Sequence, residues 1–444
     1  SCHDDFWQAY QSKARGENDQ QVREKLPFIQ LSIHFSYDVN SRELGPLSDF
    51  IIDIDPGMAA AIADIKFQLK DGKIDELFAG CEDIVGENEQ IKKSQFCMIM
   101  KGRVNKLFAP EVLAIDPSDE TNTKTLDMSN LKRLLMSGFI TAQRGLDDTT
   151  HKENDKLGGV LEKLFTAAGA SSATEEDKNK AKEIETVVKG IQDKIDNDFN
   201  KNLNKLIPAL RIFGYPGLHD SELHTETVLD AKKLLGNHTK LRYAGANGIG
   251  LPETYNGLGA RNLILILFQL YEFFKSYQGK ESLPGVHLIF IEEPEAHLHP
   301  QMQEVFIRKI EQIIETFKRE AGVSGWPVQI VITTHSTHMA NEATFESIRY
   351  FLKKAGKTEI KDLKAGFCET PEGTDKEFLH KFLTLTKCDL FFADKAVLIE
   401  GASERLMMPE IVKKIDSSDS TLNLANQYVS IIEVGGAYAH IFYK

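Results

Sequence analysis

The segment VHLIFIEEPE, from Val286 to Glu295, constrains the fold more than any other part of the chain. Leu288, Ile289, Phe290 and Ile291 run without a break into Glu292 and Glu293. A short, continuous apolar run of this kind reads as a buried strand of a parallel sheet. Carboxylates at the carboxyl end of such a strand lie where α/β sheets bind ligands. Glu292 there can hold a Mg²⁺ ion, directly or through water. Glu293 can orient a water and take its proton during attack on a phosphoryl group. The plainer alternative is a strand that ends in solvated acids. Pro294 and the following EAHLH, Glu295 to His299, weigh against it.

A second buried strand, VQIVITTHS, runs from Val328 to Ser336. One helix, Pro300–Arg319, fits between the two strands and makes a βαβ unit. Such a unit places its strands parallel and adjacent. His335 is therefore expected beside Glu293 at the same sheet edge, where an imidazole can bond a γ-phosphate. A lone histidine at a strand end is usually structural; its pairing with the Glu-Glu strand points the other way. A third piece, YNGLGARNL from Tyr255 to Leu263, opens a strongly apolar helix over Gly259–Phe274. Glycines at a helix start bare backbone N–H groups suited to phosphate.

The three pieces, in this order, resemble the signature, Walker B, D-loop and switch-histidine motifs of the ABC/SMC-type ATPases. The resemblance puts Glu292 at the metal-ligand position, where Asp is more usual, and Glu293 at the catalytic base. Ala296–His299 fall at the D-loop and His335 at the switch. Asn256, Gly257 and Gly259 match the signature, with Asn in place of the usual Ser. These ATPases also use a GxxxxGK[ST] loop to cradle phosphates. The chain has none: Gly356, Gly72 and Gly279 each precede a Lys, but Phe351, Phe67 and Phe274 stand where the first Gly belongs. Either the chain is a degenerate, non-hydrolysing relative or this loop precedes Ser1; the second is the expectation, since intact Glu293 and His335 suit a working ATPase.

Near the other end, KAVLIEGASE (Lys395 to Glu404) reads as a strand, a turn and the start of a helix over Arg405–Ile415. YVSIIEVGG (Tyr428 to Gly436) reads as a second strand. Glu400 at the strand tip and Glu404 beyond the glycine are close enough to repel unless a cation bridges them. A Mg²⁺ site for phosphodiester chemistry would explain the spacing; exposed acids on a strand–turn–helix would too. The segment resembles the opening of a Toprim domain. Together with the ATPase motifs it is similar to the OLD (overcoming lysogenization defect) family of ATP-dependent nucleases, most specifically over residues 241–436. FITAQRGL, Phe139 to Leu146, resembles a family loop that would bring Arg144 near nucleotide. The family's helical insertion, which mediates dimerisation, corresponds to about residues 145–235.

The expected fold is α/β: an ABC-type ATPase of the P-loop NTPase class, without the P-loop itself, interrupted by a helical insertion and followed by the start of a Toprim domain. The expected division is 1–144 and 236–393 for the ATPase, 145–235 for the insertion and 394–444 for the Toprim portion. The resemblance implies ATP and Mg²⁺ as cofactors, DNA as partner and a homodimer or higher homo-oligomer. It also implies a place in anti-phage defence, with a partner protein or a nucleic acid. The Toprim Asp-x-Asp pair is expected past Lys444. A non-nucleolytic SMC/RecF-like clamp or nucleotide-sensing scaffold is the competing class.

The rest of the chain fits a soluble protein. It has 444 residues and a net charge of −13, which argues against a basic nucleic-acid coat but not against a local basic surface. Its apolar stretches fall far short of the roughly 20 residues of a membrane span. Five scattered cysteines without a pairing pattern suit reduced thiols in a cytoplasm. In the N-terminal part, strands are expected at Pro27–Tyr37, Phe50–Asp55, Ile62–Leu69, Gln95–Met100 and Gly138–Ala142, in a mixed sheet. From Ile184 to Ile207, apolar residues recur every three or four positions, predicting a long amphipathic helix. That helix either packs on its own domain or serves as a dimerisation arm.

Overall fold

Alternating side chains build the first sheet of the computed structural model. Strands β1 (Ile29–Ser36), β2 (Ala60–Leu69), β3 (Phe108–Ile115) and β4 (Thr123–Leu126) pair in that order, antiparallel at each step. One face packs Phe35, Ala61, Ala63, Val112 and Ala114 against Phe50, Leu131 and Leu134. Asp64 is fully buried and needs partners to offset its lost hydration. Gln30 and Ser32 donate to its carboxylate at 2.9 and 2.5 Å. A second core gathers Phe6, Trp7, Val22, Leu77, Phe96 and Met100.

The structure describes all residues except 1, 41–43, 54, 56, 83, 85–87, 145–155, 205–227, 239–241, 245–249, 253–256, 355–356, 364–392, 394, 420, 428 and 435–444. The chain divides into two compact units: residues 1–137, 280–288 and 327–329, and residues 138–279, 289–326 and 330–444.

Two expected strands fail. Gln95–Met100 lies within the helix Glu89–Leu107. Asn88 caps that helix by accepting the Ile91 N–H, and its buried residues Phe96, Met100 and Leu107 recur at helical spacing. Phe50 closes a 3₁₀ turn, Gly45–Phe50, and none of the described residues from Ile51 to Asp55 is in a strand. The four-stranded sheet is also antiparallel throughout rather than mixed.

Strand β5 (Leu135–Ile140) leads toward the helical region. The helix Lys156–Ala168 packs Val160 and Leu164 on the apolar face of the helix Leu258–Gln278. The amphipathic pattern forms a 30-residue helix, Glu175–Asn204, whose start is tied to Leu258–Gln278 by Lys275 and Asp177 at 2.8 Å. Leu206 and Ile207, the last of the expected stripe, lie outside the described residues. Strands β6 (Arg242–Ala244) and β7 (Gly250–Pro252) form a short antiparallel pair.

Strands β8 (Val286–Glu292) and β9 (Val328–Thr333) share a sheet with β5 in the order β5-β8-β9. The His287 N–H bonds the Pro327 carbonyl and the Glu293 N–H bonds the Thr333 carbonyl. Equal steps in the same direction make the two strands parallel. The crossover is the helix Pro300–Glu320, with Pro at its first position and His299 as its cap. Beyond it, β10 (Arg349–Lys354) and β11 (Lys357–Asp362) form an antiparallel ribbon. Strands β12 (Lys395–Ile399) and β13 (Val429–Glu433) pair in parallel across the helix Ala402–Ser418. Among the described residues, no helix is long and apolar enough to cross a membrane.

Candidate active site

The end of β8 brings Glu292, Glu293 and His335 together, because β9 runs parallel beside it. His335 Nε2 lies 3.5 Å from Glu293 Oε1, and both side chains are open to solvent. Glu293 has φ +42°, the left-handed region that non-glycine residues rarely occupy. Such strain costs of order 1–3 kcal/mol and persists only where surrounding contacts hold it. Here the Glu293 N–H bonds Thr333, and its carbonyl accepts from Arg144 Nη1 at 3.4 Å. The strained turn swings the Glu293 side chain out of the strand line toward His335.

Arg144 is the centre of this bracing. It is buried at 8% exposure, and its Nη2 donates to the Glu292 carbonyl at 2.5 Å. Its Nη1 also donates to Asn262 Oδ1 at 2.9 Å. Burial pulls the guanidinium below its ordinary pKa, while Glu295, Glu292 and Glu293 pull it back up. The family resemblance implies Arg144 near nucleotide; in the structure both terminal nitrogens of its guanidinium are engaged by this turn and Asn262. Glu292 is fixed from the other side, since its Oε2 accepts the Ala142 N–H at 3.1 Å.

Asn262, on the helix Leu258–Gln278, completes the frame. Its Nδ2 donates to the carbonyls of Pro294 and Ala296 at 3.1 and 2.7 Å. Glu295 then reaches β9: its Oε1 accepts from the Thr334 hydroxyl at 2.9 Å and from the His335 N–H at 2.7 Å. Gln303 adds a second brace, donating to the Leu298 carbonyl at 2.8 Å and accepting from the Ser336 hydroxyl. Asn262, Glu295 and Gln303 were not singled out from sequence. A buried amide at the start of the run NLILILF was the available signal for Asn262.

The glycines of the expected signature separate into two roles. A Cβ on Gly259 would lie 2.5 Å from the carbonyl oxygen of His297, itself at φ +63°. Glycine there lets the helix approach the turn. Gly257 has open space around it and caps the helix without a side-chain bond, so that among the described residues no side chain meets the first-turn N–H groups. Asn256 lies outside the described residues.

At β12, Glu400 is exposed at the strand tip. Glu404 Oε2 accepts the Gly401 N–H at 3.1 Å, capping the helix. Glu433, opposite Ile399 on the parallel neighbour, is held by Arg405 at 2.5 Å. Among the described residues, no group of three or more His, Cys, Asp or Glu side chains is placed to hold a metal.

These oxygen donors fit a hard divalent cation at Glu292, as one carboxylate of a shared site. The bare N–H groups at Gly257 fit a phosphate. The parallel-strand pair ending in acids and a histidine, braced against a glycine-led helix, lies within the stretch that matches an AAA-type ATPase domain. Residues 61–340 match the AAA ATPase domain family, well over half the chain, and the chain belongs to that family. Residues 391–444 match the TOPRIM domain of overcoming lysogenization defect protein-like proteins, so the arrangement is that of an OLD-family ATPase–Toprim protein.

Three curated relatives are similar over about half of this chain. Endonuclease GajA of Bacillus cereus is 29% identical over 228 residues, covering 49% of this chain and 32% of its own length. Old nuclease of Escherichia phage P2 is 24% identical over 228 residues, covering 51% and 36%. OLD nuclease of Thermus scotoductus is 22% identical over 202 residues, covering 45% and 34%. The matched part therefore spans about a third of each relative.

Proposed function

We propose that this protein is an ATP-dependent DNA endonuclease or nickase, in which an ATPase dimer controls a Mg²⁺-dependent Toprim nuclease. The observation that carries the reading is the 3.5 Å approach of His335 to Glu293 at paired strand ends, in a chain that continues into a Toprim segment. Glu293 accepts a proton from the attacking water as the new P–O bond forms and the bond to the ADP leaving group breaks. His335 bonds a γ-phosphate oxygen and keeps the Glu293 carboxylate aimed. Glu292 would hold Mg²⁺, which when bound neutralises charge on the β- and γ-phosphate oxygens.

The bare N–H groups at Gly257 would meet the nucleotide of a second protomer, so the working unit is a homodimer. Ile184, Val187 and Ile191 support this, forming an exposed apolar stripe on the helix Glu175–Asn204. Glu400 and Glu404 would share the Mg²⁺ of the nuclease. We place the protein in the cytoplasm and, from the family likeness, in anti-phage defence.

One observation favours the clamp or scaffold alternative: Glu404 and Glu433 are already engaged by a helix cap and by Arg405. Nicking of supercoiled plasmid by the full-length protein separates the two. Glu400→Ala and Glu404→Ala should abolish Mg²⁺-dependent nicking and spare ATP turnover. Undiminished nicking by either variant would remove that residue from the metal site.

A further inference from the structure

The β10–β11 ribbon pairs with no other described strand. Its charge runs against that of the chain, which is −13 overall. Arg349, Lys353, Lys354, Lys357 and Lys361 share the ribbon with only Glu359 and Asp362 as acids. Both acids are engaged, Asp362 by Arg349 at 3.2 Å and Glu359 by Lys361 at 3.9 Å. Lys353, Lys354 and Lys357 are exposed and, among the described residues, enter no ion pair.

The register makes this arrangement unfavourable for the protein alone. Lys354 and Lys357 are direct cross-strand partners. Like charges placed opposite each other destabilise a ladder, and an anion beside them relieves it. The pleat puts Lys353 on one face and Lys354 with Lys357 on the other. Cations thus flank both faces of one end of the ribbon. On the Lys353 face, Phe351 and Ile360 oppose each other across the ladder at 64% and 58% exposure.

Duplex DNA answers each feature. Its major groove admits a two-stranded ribbon, and its walls are phosphates on both sides. An exposed apolar pair there meets base edges such as thymine methyls. A single strand or a flat acidic surface would meet one face and leave the lysines of the other unmatched. We propose that the β10–β11 ribbon docks in a groove of duplex DNA, with Lys353, Lys354 and Lys357 on phosphates and Phe351 and Ile360 toward the base edges. The proposal deepens the nuclease reading and rests on it.

The test is anisotropy of labelled blunt duplex with the full-length protein, at several salt concentrations. The variants are the triple Lys353→Gln, Lys354→Gln, Lys357→Gln and the single Phe351→Ala. In the triple variant, duplex affinity should fall about tenfold or more, and log affinity against log salt should flatten by about 2–3, at ~0.9 per lost phosphate contact. Phe351→Ala should weaken binding without changing the salt slope. Thermal midpoint and ATP turnover should stay at wild-type values in both. Wild-type affinity and slope in the triple variant would overturn the ribbon proposal while leaving the nuclease reading standing. A greater loss for single-stranded DNA than for duplex would overturn the groove. A wild-type protein that neither binds nor nicks duplex would sink the nuclease reading together with this one.

Discussion

Arg144 holds Glu292 by its backbone, not by its carboxylate: Nη2 donates to the Glu292 carbonyl at 2.5 Å while the acidic side chain faces outward. The arrangement separates support from chemistry. A buried cation fixes the peptide of the acid pair, while the Ala142 N–H takes one oxygen of the Glu292 carboxylate and the Glu293 carboxylate stays open to solvent beside His335. Arg144→Ala would orphan the Glu292 carbonyl and Asn262 in a buried place. The expected loss is about 2–4 kcal/mol of stability, since each unsatisfied buried group costs roughly 1–3 kcal/mol. ATP turnover should fall with it. Arg144→Lys, lacking the forked donors, should recover only part of either, as read by chemical denaturation and steady-state hydrolysis.

Glu295 links the acid turn to the switch histidine through the His335 N–H. Glu295→Gln keeps an acceptor at that position, whereas Glu295→Ala removes it. We expect the alanine variant to lose on the order of tenfold in ATP turnover at unchanged nucleotide affinity, a misplacement effect. The glutamine variant should stay near wild type. Equal losses in both would show that the charge, rather than the hydrogen bond, matters.

The two described glycines of the signature should respond differently to the same change. Gly259→Ala drives a Cβ onto the His297 carbonyl, a backbone atom that cannot step aside, and should cost about 1–3 kcal/mol. Gly257→Ala meets open space and should leave the thermal midpoint unchanged. Any effect of Gly257→Ala on nucleotide-dependent turnover would then report on phosphate contact alone.

His287 is fully buried on β8, and burial pushes its pKa down to about 4 from 6.5. A basic group with a depressed native pKa binds protons in the unfolded state first. Stability should therefore hold above pH 6.5 and fall as the pH drops toward 4, by roughly 3 kcal/mol in all. His287→Leu should flatten this fall in denaturant midpoints measured across that window. An unchanged pH profile would assign the acid sensitivity to other groups.

Much of the site was legible because it is written in strands. The apolar runs ending at Glu292 and Thr333, with a helix-length gap between them, required a parallel pair, and the pair required His335 beside Glu293. The side chains that brace this pair were less legible. Asn262 and Glu295 act through backbone carbonyls and N–H groups that only the folded turn brings near. Gly259 was read as a phosphate-facing residue, yet its contact with His297 depends on a packing distance that no local pattern encodes. The Phe96–Met100 run is ambiguous for a simpler reason: five apolar residues in a row suit a strand or a buried helix equally, and Asn88 and Leu107, which mark the helix, lie outside it.

Glu293 is the residue on which the functional reading turns, and Glu293→Gln in the full-length protein probes it with almost no change in shape. Nucleotide affinity and ATP hydrolysis should be measured on the same preparation. The proposed role as base requires wild-type ATP binding with hydrolysis slowed by roughly 10²–10⁴-fold. Hydrolysis at the wild-type rate, with binding intact, would contradict it.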